Sequence, residues 1–322
     1  MLHIILYAIV PIVVVMLAGY ISGKKGAFSG DDAKKFNKVV LDFALPAALF
    51  VSIAQATRED LAKDLRLTLV SLIGIMGCFM AVYFVFRYCF KKNTGADAAV
   101  SALISGSPTI GFLGFAVLEP IFGTTPAVAL VVAIVGIVVN AIGIPVGLSL
   151  MNASLDSTDP KTGKKPSAWK PVLHALAQPV AWAPILAVVM VLVGIKWPDW
   201  LSPSFNLIAK ANASMAVFSA GITLSAIKIS INWQVILGSI MKMILMPLVI
   251  LALGLAFHMD PENLKMLVVA GALPPAFSGI IIADENNTYV ATGTSSLTLS
   301  VILFVGFCPL WIWLTDVAIN MF

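Results

Sequence analysis

Charged residues are scarce in this sequence. They occupy 11% of the 322 positions, whereas hydrophobic residues occupy 60%. A soluble domain usually carries about 25% charged residues, because its surface must face water. The chain has too few charges to cover a soluble globule of its size. Its mean hydropathy of +0.99 instead predicts an all-α protein with many membrane spans, each of about 20 residues.

Cysteine and histidine are also rare, with three of each. Cys78, Cys89 and Cys308 form no CxxC pair, which favours small hydrophobic residues in helices over a disulfide or a metal site. The histidines lie far apart in sequence, so we expect no zinc site. No motif pairs a nucleophile with a base, so we expect no enzyme, no catalytic residue and no cofactor. The net charge of +4 follows from the loops and requires no nucleic-acid partner.

Ten apolar segments are long enough to be membrane spans. One long polar stretch, 152–170, separates the fifth segment from the sixth, and its composition predicts a flexible linker. We therefore divide the chain into a first five-helix repeat over 1–151, a cytoplasmic linker over 152–170 and a second five-helix repeat over 171–322. The predicted spans are 3–22, 36–56, 67–90, 96–118, 126–150, 171–194, 204–226, 231–257, 262–283 and 289–319.

The basic residues predict the orientation of the chain. Cytoplasmic loops of membrane proteins carry an excess of Lys and Arg. The odd-numbered loops, which include the linker, hold most of the basic residues. We therefore expect the odd loops in the cytoplasm and both termini outside. The basic residues of the odd loops are Lys24, Lys25, Lys34, Lys35, Lys38, Arg87, Lys91, Lys92, Lys161, Lys164, Lys165, Lys170 and Lys228, against Arg58, Lys63, Arg66, Lys196 and Lys265 in the even loops.

Proline interrupts the fourth and ninth predicted spans near their centres. Pro108 stands between Gly106 and Gly111, and Pro274 is followed directly by Pro275. Because proline removes a backbone donor and clashes with the preceding turn, each site predicts a break followed by a second half-helix. Five spans in each half would make the halves inverted repeats, and Pro108 and Pro275 lie at corresponding places. Broken helices in both halves are typical of inverted-repeat transporters.

The breaks predict a binding site for an anion. A helix that begins inside the membrane directs unpaired N–H groups and a partial positive charge into the protein. Two such ends that meet near the midplane would favour a carboxylate. The residues predicted to bind it are Ser107, Pro108, Thr109 and Gly111 at the first break and Pro274, Pro275, Ala276 and Ser278 at the second.

Several polar residues inside the spans have two interpretations each. Lys242 lies near the middle of the eighth span, where it would either balance the substrate charge or form an internal ion pair or snorkel along a tilted helix. Asn140 in the fifth span is a second candidate for substrate contact. Asp42 would bind a coupling proton or pair with Lys38 one turn earlier. Lys210 lies nearer the outer leaflet and is predicted to be a structural or gate residue.

The sequence resembles the auxin efflux carrier family, particularly its bacterial malonate and malate carriers. The resemblance covers nearly the whole chain and is most specific in the ninth span, from Ala272-Leu273-Pro274-Pro275 to Ile282-Ala283-Asp284-Glu285. The runs Pro108-Thr109 to Gly114 and Ala211 to Gly221 are also similar to family patterns. Two positions depart from them, because many members have Asn where Thr109 stands and Pro where Ala116 stands.

The resemblance implies a fold and a mechanism. It implies ten transmembrane helices in two inverted five-helix repeats. The fourth and ninth helices would be broken and would cross at the substrate carboxylate, while helices one, two, six and seven would form a scaffold. Family members move small organic anions by elevator-like alternating access. The resemblance also suggests a homodimer.

We therefore predict a secondary transporter of small organic anions, carboxylates such as malonate or malate, in the bacterial cytoplasmic membrane. Its partners would be the carboxylate substrate and the lipid bilayer. The alternative is a sodium- or proton-coupled cation antiporter or symporter of similar architecture, and a coupling proton or sodium ion remains open. Cation carriers usually place a carboxylate pair beside the breaks, whereas the acids nearest in sequence, Glu119, Asp284 and Glu285, lie near helix ends.

Overall fold

The computed structural model describes residues 10–55, 58, 65–154, 177, 179–226, 230–276, 279–280, 282–283 and 288–321. All regular secondary structure in these residues is helical, apart from one isolated bridge described below. The all-α prediction is confirmed for this part of the chain. The number of membrane spans and the inverted repeat stay predictions.

In the described residues of the first half, we label eight α-helices. Pro126 and Gly95 each begin a helix just after a threonine whose hydroxyl accepts a backbone N–H bond, the usual way to satisfy a helix N-terminus. The helices are α1 Val10–Lys24, α2 Gly30–Val39, α3 Leu45–Ala54, α4 Leu65–Tyr88, α5 Gly95–Ser105, α6 Ile110–Phe122, α7 Pro126–Ile137 and α8 Ile144–Ser154. Because α8 continues through Ser154, the first three residues of the predicted linker are helical, and residues 155–176 lie outside the described part.

The second half contributes seven labelled helices. A short 3-10 turn at Asp199–Leu201 precedes the second of them. The helices are α9 Pro179–Val193, α10 Ser202–Ala209, α11 Ala211–Ala226, α12 Trp233–Ile240, α13 Met246–Ala256, α14 Pro261–Ala272 and α15 Val290–Met321.

Three π-helical segments join consecutive helices into longer rods. Val40–Ala44 joins α2 to α3, Val138–Gly143 joins α7 to α8, and Met241–Leu245 joins α12 to α13. In each rod the second residue after the π segment is a proline, namely Pro46, Pro145 or Pro247. A proline cannot donate to the preceding turn and clashes with it. The wider π turn accommodates the proline without ending the helix.

Within the described residues, five helices are long and apolar enough to cross a membrane. Shorter apolar helices, among them α1, α5 and α6, accompany them. Neither α5 nor α6 spans about 30 Å alone, because an α-helix rises about 1.5 Å per residue. By the length and composition of its helices the protein is a multi-pass membrane protein, and α5 and α6 are each shorter than one membrane span.

The helices pack in two groups. In the first group, α1 packs on α11, which also contacts α2, while α3 contacts α9 and α10. Gly19 and Gly221 bring α1 and α11 into backbone contact, because a Cβ on either glycine would lie 2.1 or 2.0 Å from a carbonyl oxygen of the other helix. Small residues allow such close approach in membrane proteins. The first group thus contains the predicted spans one, two, six and seven.

The second group surrounds the broken helices. There α5 packs on α4 and α8, and α14 packs on α13 and α15. The two groups meet mainly where α6 contacts α11 and where α3 contacts α7. The core of the second group is the more deeply buried, and α5 is buried along its whole length.

Candidate functional site

The first helix break separates α5 from α6 at Pro108. Helix α5 ends at Ser105, where the Gly106 N–H donates to the Ala102 carbonyl over 2.9 Å. Helix α6 begins at Ile110, and Thr109 before it has φ −77° and ψ 51°, outside the helical region. The break lies where the proline predicted it.

The second break follows α14 at Ala272. Leu273 has φ −55° and ψ 148°, an extended conformation. Pro274, Pro275 and Ala276 continue as non-helical chain, and the next described residues, 279 and 280, are helical again. This break also coincides with the predicted prolines. Ser278, a predicted site residue, lies outside the described residues.

The two breaks are hydrogen-bonded to each other. The Thr109 N–H donates to the Pro274 carbonyl over 2.9 Å, and the Ala276 N–H donates to the Ser107 carbonyl over 3.0 Å. Between these bonds Pro108 and Pro275 form an antiparallel bridge. The predicted meeting of the breaks is confirmed. Residues 107, 108 and 109 correspond to residues 274, 275 and 276 with one offset of 167 residues. Each break therefore donates one bond to the other and accepts one in return.

The first turn of α6 offers unused hydrogen-bonding groups. Thr109 is 2% exposed, and its Oγ1 has no hydrogen-bond partner. The Phe112 and Leu113 N–H groups are the first to donate within the helix, to the Thr109 carbonyl, so the N–H groups of Ile110 and Gly111 have no intrahelical acceptor. Together with the helix dipole they form a positive end inside the protein. Such an end can bind an anion.

Gly111 is the most accessible of the predicted site residues at the first break. It is partly exposed, whereas Ser107, Pro108 and Thr109 are buried. A Cβ on Gly111 would lie 3.1 Å from Cδ2 of Leu45 in α3. The Leu45 side chain therefore covers the start of α6 from the side of the first helix group.

Lys242 lies behind the second break. It is fully buried, and its Nζ donates to the Gly271 carbonyl and contacts Sδ of Met246 at 3.3 Å. Gly271 belongs to the last turn of α14, whose carbonyls lack intrahelical donors. A cation at this end also complements the helix dipole. Lys242 therefore satisfies the carbonyl end of α14, a contact that the sequence did not indicate.

The other polar candidates take different places. Asn140 is partly buried in the π segment Val138–Gly143. A Cβ on Gly143 of the same segment would lie 3.9 Å from the Ser107 hydroxyl, so this segment approaches the first break. Asp42 lies in another π segment, and among the described residues it forms no ion pair with Lys38. The interpretation that Asp42 pairs with Lys38 is therefore wrong.

A cavity of about 570 Å³, which we name the α6 cavity, lies farther along α6, beside Phe115 and Glu119. Glu119 lies near the end of α6, as predicted, whereas Asn212 and Gln55 were not among the predicted site residues. A hint was available, because each is a polar side chain within or at the end of an apolar run. The lining residues are Ala48, Val51, Gln55, Phe115, Glu119, Thr124, Thr125, Pro126, Asn206, Ala209, Lys210, Asn212 and Ala213.

Comparison with known proteins places the chain among transporters. Residues 4–312 match the sequence model of the family described as "Membrane transport protein". The chain is 54% identical over 307 residues to "Uncharacterized transporter YfdV" of Escherichia coli (strain K12), covering 95% of this chain and 96% of that protein.

More distant relatives match over nearly the whole of this chain and of their own. An "Uncharacterized transporter" of Methanothermobacter thermautotrophicus is 24% identical over 309 residues, and "Uncharacterized transporter MJ1031" of Methanocaldococcus jannaschii is 23% identical over 313 residues. Each comparison covers 94% of this chain and 96% of the relative. The chain therefore belongs to the membrane transport protein family, the auxin efflux carrier-like transporters, and is a membrane transporter rather than an enzyme.

Proposed function

We propose that this chain is a secondary transporter of small organic anions, carboxylates such as malonate or malate, that acts by elevator-like alternating access in the cytoplasmic membrane. The meeting of the two helix breaks carries the proposal. It leaves the Thr109 hydroxyl without a protein partner at a buried helix N-terminus. The Thr109 hydroxyl and the first N–H groups of α6 can donate hydrogen bonds, and a carboxylate offers only acceptors.

The chemistry of the break matches a carboxylate in charge and in geometry. One carboxylate oxygen would accept from the N–H groups of Ile110 and Gly111, and the other from the Thr109 hydroxyl. The helix end contributes about 0.3–2 kcal/mol toward binding a negative charge. A hydrogen bond to a charged group adds about 1.5–3 kcal/mol. Together they help to offset the loss of water around the anion.

A cation carrier has less support at this site. It would need acidic side chains beside the breaks. Among the described residues Ser105–Gly111 and Gly271–Ala276 there is none, and Glu119 lies more than two turns along α6. Asp284 and Glu285 lie outside the described residues. The donors at the break therefore favour an anion.

The packing supports the elevator part of the proposal. The helices of the first group pack on each other, and the α6 cavity lies between them and α6. We propose that the second group, which carries both breaks, moves past the first. We also propose that both termini lie outside, as the basic residues predict. We further propose that the protein forms a homodimer through the first group.

The test is uptake into proteoliposomes that contain the purified protein. Radiolabelled malonate, malate and the neutral diamide malonamide would be compared, with and without sodium. We expect saturable uptake of the carboxylates, inhibition by unlabelled malonate, and no uptake of malonamide. Uptake of the neutral solute with no response to any carboxylate would overturn the proposal.

One substitution tests the break itself. Thr109→Val keeps the side-chain shape and removes the hydroxyl. The lost bond to a charged group predicts a rise in KM of about tenfold or more. Thr315→Val is the matched control, because the Thr315 side chain is also buried but its hydroxyl bonds to Trp311 in its own helix. An equal KM change in both variants would contradict the proposed role of Thr109.

A further inference from the structure

A second cavity, of about 380 Å³, lies between α4, α7 and α9, and we name it the α7 groove. Helix α7 contacts both other helices, so α7 forms the floor of the groove while α4 and α9 form its walls. Because α9 belongs to the first helix group and α4 and α7 to the second, the groove lies on the boundary between the groups. It is lined by Arg58, by Thr68 and Leu72 of α4, by Val188 and Leu192 of α9, and by one face of α7 and its π segment from Leu130 to Ile142.

The α7 groove opens toward the lipid. Most of α7 is buried, but Ile134 and Ile137, which line the groove, are partly exposed. Beside the lining, Leu69 and Ile73 on α4 and Val189 on α9 are exposed. In a multi-pass membrane protein, exposed aliphatic side chains within the spans face acyl chains rather than water. The floor of the groove is therefore accessible from the bilayer.

One end of the groove is polar and the rest is aliphatic. Thr68 lies on the first turn of α4. Arg58 lies at the end of α9, where its Nε donates to the Val191 carbonyl over 3.2 Å. Every other lining side chain is leucine, isoleucine or valine. Because helix ends lie near the membrane surface, the groove has a charged mouth and an apolar depth, the polarity of a molecule with a polar head and a hydrocarbon chain.

The dimensions of the groove match a hydrocarbon chain. Ile142 lies twelve residues after Leu130, a distance of about 18 Å along the axis at about 1.5 Å per residue. This is close to the depth of one leaflet, since the hydrocarbon core is about 30 Å thick. Over this length a volume of about 380 Å³ gives a mean cross-section of about 20 Å². A helix, with a diameter of about 10–12 Å, is too wide for the groove.

Arg58 can hold an anionic group at the mouth of the groove. A guanidinium has five N–H donors, and the bond to Val191 uses one of them. The other donors form no bond or ion pair with the residues that the structure describes. The arginine fork matches two oxygens of a phosphate. Basic residues in pockets between transmembrane helices are typical of sites for anionic lipid headgroups.

We propose that the α7 groove binds one anionic phospholipid, with its phosphate at Arg58 and one acyl chain along α7 between α4 and α9. The lipid contacts both helix groups at once, and because it binds the folded protein it stabilises that state. A small dicarboxylate would find one cation at the mouth and only aliphatic side chains below it. A helix of a second copy would have to force the walls apart.

The test measures lipid binding to the whole chain, purified in a nonionic detergent and stripped of lipid. Native mass spectrometry and thermal unfolding would compare phosphatidylglycerol, phosphatidylcholine with the same acyl chains, and glycerol phosphate, which has no chains. We expect one phosphatidylglycerol per chain, bound about fivefold more tightly than phosphatidylcholine, and a higher melting temperature with it. Glycerol phosphate should leave the melting temperature unchanged. Equal affinities of the two lipids, or an equal effect of glycerol phosphate, would overturn the proposal.

Two pairs of variants assign the binding to the groove. Arg58→Gln should remove the preference for phosphatidylglycerol. Arg66→Gln should keep it, because Arg66 is also exposed and donates to a backbone carbonyl, that of His258, but lies outside the lining. Ile134→Phe fills the groove and should weaken the binding of both lipids about tenfold. Ile73→Phe, at an exposed position outside the lining, should not.

The outcomes are distinct. If Arg58→Gln keeps the preference, or Arg66→Gln loses it equally, Arg58 does not hold the phosphate and the proposal fails. It also fails if Ile134→Phe binds lipid as Ile73→Phe does, or if Ile134→Phe instead changes the oligomeric state in size-exclusion chromatography, which would assign the groove to a second copy. Should Ile134→Phe fail to fold, the two arginine variants decide, because both side chains are exposed. These measurements do not involve uptake, so they are independent of the proposed function.

Discussion

The two helix breaks have the same backbone bonding but different surroundings. At the first break the Thr109 hydroxyl is unpaired and a movable side chain, Leu45, covers Gly111. At the second break Lys242 satisfies the carbonyl end of α14. A Cβ on Gly279, just beyond this break, would lie 2.8 Å from the backbone of Leu103. The comparison indicates that a side chain covers the first break, whereas the backbone of α5 packs against the chain just beyond the second.

The largest expected effect comes from reversing the charge at the second break. Lys242→Glu would bury an acid against the negative end of α14. Such a helix end favours cations, and a charge at this depth costs about 2.5–3.5 kcal/mol without a partner. We expect little or no monodisperse protein in detergent, measured by size-exclusion chromatography and thermal unfolding.

Lys242→Met is the matched control for this prediction. It leaves the Gly271 carbonyl unpaired, at a cost of about 1–3 kcal/mol, but it also removes a buried charge, which often restores stability. We expect a folded protein with a melting temperature near that of the wild type. A Lys242→Glu variant as stable as Lys242→Met would show that the lysine does not hold the second break.

A smaller effect is expected from the two glycines. Gly279→Ala places a methyl group against the Leu103 backbone, which cannot move away easily, and overpacking of this kind costs about 1–3 kcal/mol. Gly111→Ala places the methyl group 3.1 Å from the end of a leucine side chain, which can rotate. We expect a lower melting temperature for Gly279→Ala and a near-native one for Gly111→Ala.

The KM for transport, measured on equal amounts of folded protein, should change more in Gly111→Ala than in Gly279→Ala, the opposite of the order expected for the melting temperature. The Gly111→Ala methyl group lies on the first turn of α6, so it should raise KM at the proposed site. The folded fraction of Gly279→Ala should keep the wild-type KM. If Gly111→Ala lowers the melting temperature as much as Gly279→Ala does, the two breaks do not differ in rigidity.

The smallest effect is expected at the starts of α2 and α5, away from the breaks. There a hydroxyl residue and an aspartate three residues later each accept a backbone N–H bond from the other, an arrangement called a capping box. The backbone N–H and the hydroxyl of Ser29 hold the pKa of Asp32 at about 2, below its ordinary value of 3.8. A carboxyl with a lowered pKa stabilises the folded state above the ordinary value, and this contribution disappears as the pH falls toward 2. Asp32→Asn should therefore lower the melting temperature slightly at neutral pH and not at pH 2.

Asp97 forms the equivalent box with Thr94 at the start of α5, the helix before the first break. Asp97→Asn should cause a similar small loss of stability at neutral pH. Both variants should keep the wild-type KM, because neither box touches a break. A KM change in Asp97→Asn alone would mean that α5 transmits changes to the first break.

The sequence predicted the positions of the breaks because proline acts locally on the helix that contains it. Pro108 and Pro274-Pro275 lie where their helices end, because proline removes a backbone donor and clashes with the preceding turn. Residue type alone does not distinguish Pro46, Pro145 and Pro247, which lie inside continuing helices, from the prolines at the breaks. Each of these three prolines follows a π segment in a helix that continues, and Pro145 does so although Gly143 and Gly147 lie two residues away on either side.

Contacts between distant segments could not be predicted in this way. The partner of Lys242 is a backbone carbonyl on another helix, so no residue pattern identifies it. The α6 cavity is formed where two helix groups fail to fill the space between them, and Asn212 and Glu119 belong to different groups. Such sites depend on how whole helices pack, whereas a sequence pattern reports mainly the local chain.

The paired bonds between the breaks also bear on how the molecule moves. If α6 shifted without α14, the bonds of Thr109 to Pro274 and of Ala276 to Ser107 would separate and strand four buried backbone groups. Each stranded group would cost about 1–3 kcal/mol. A displacement that carries both half-helices together costs nothing at these bonds. The two breaks should therefore move together as one unit, and we expect any relative movement of helices to occur at the surfaces around this unit.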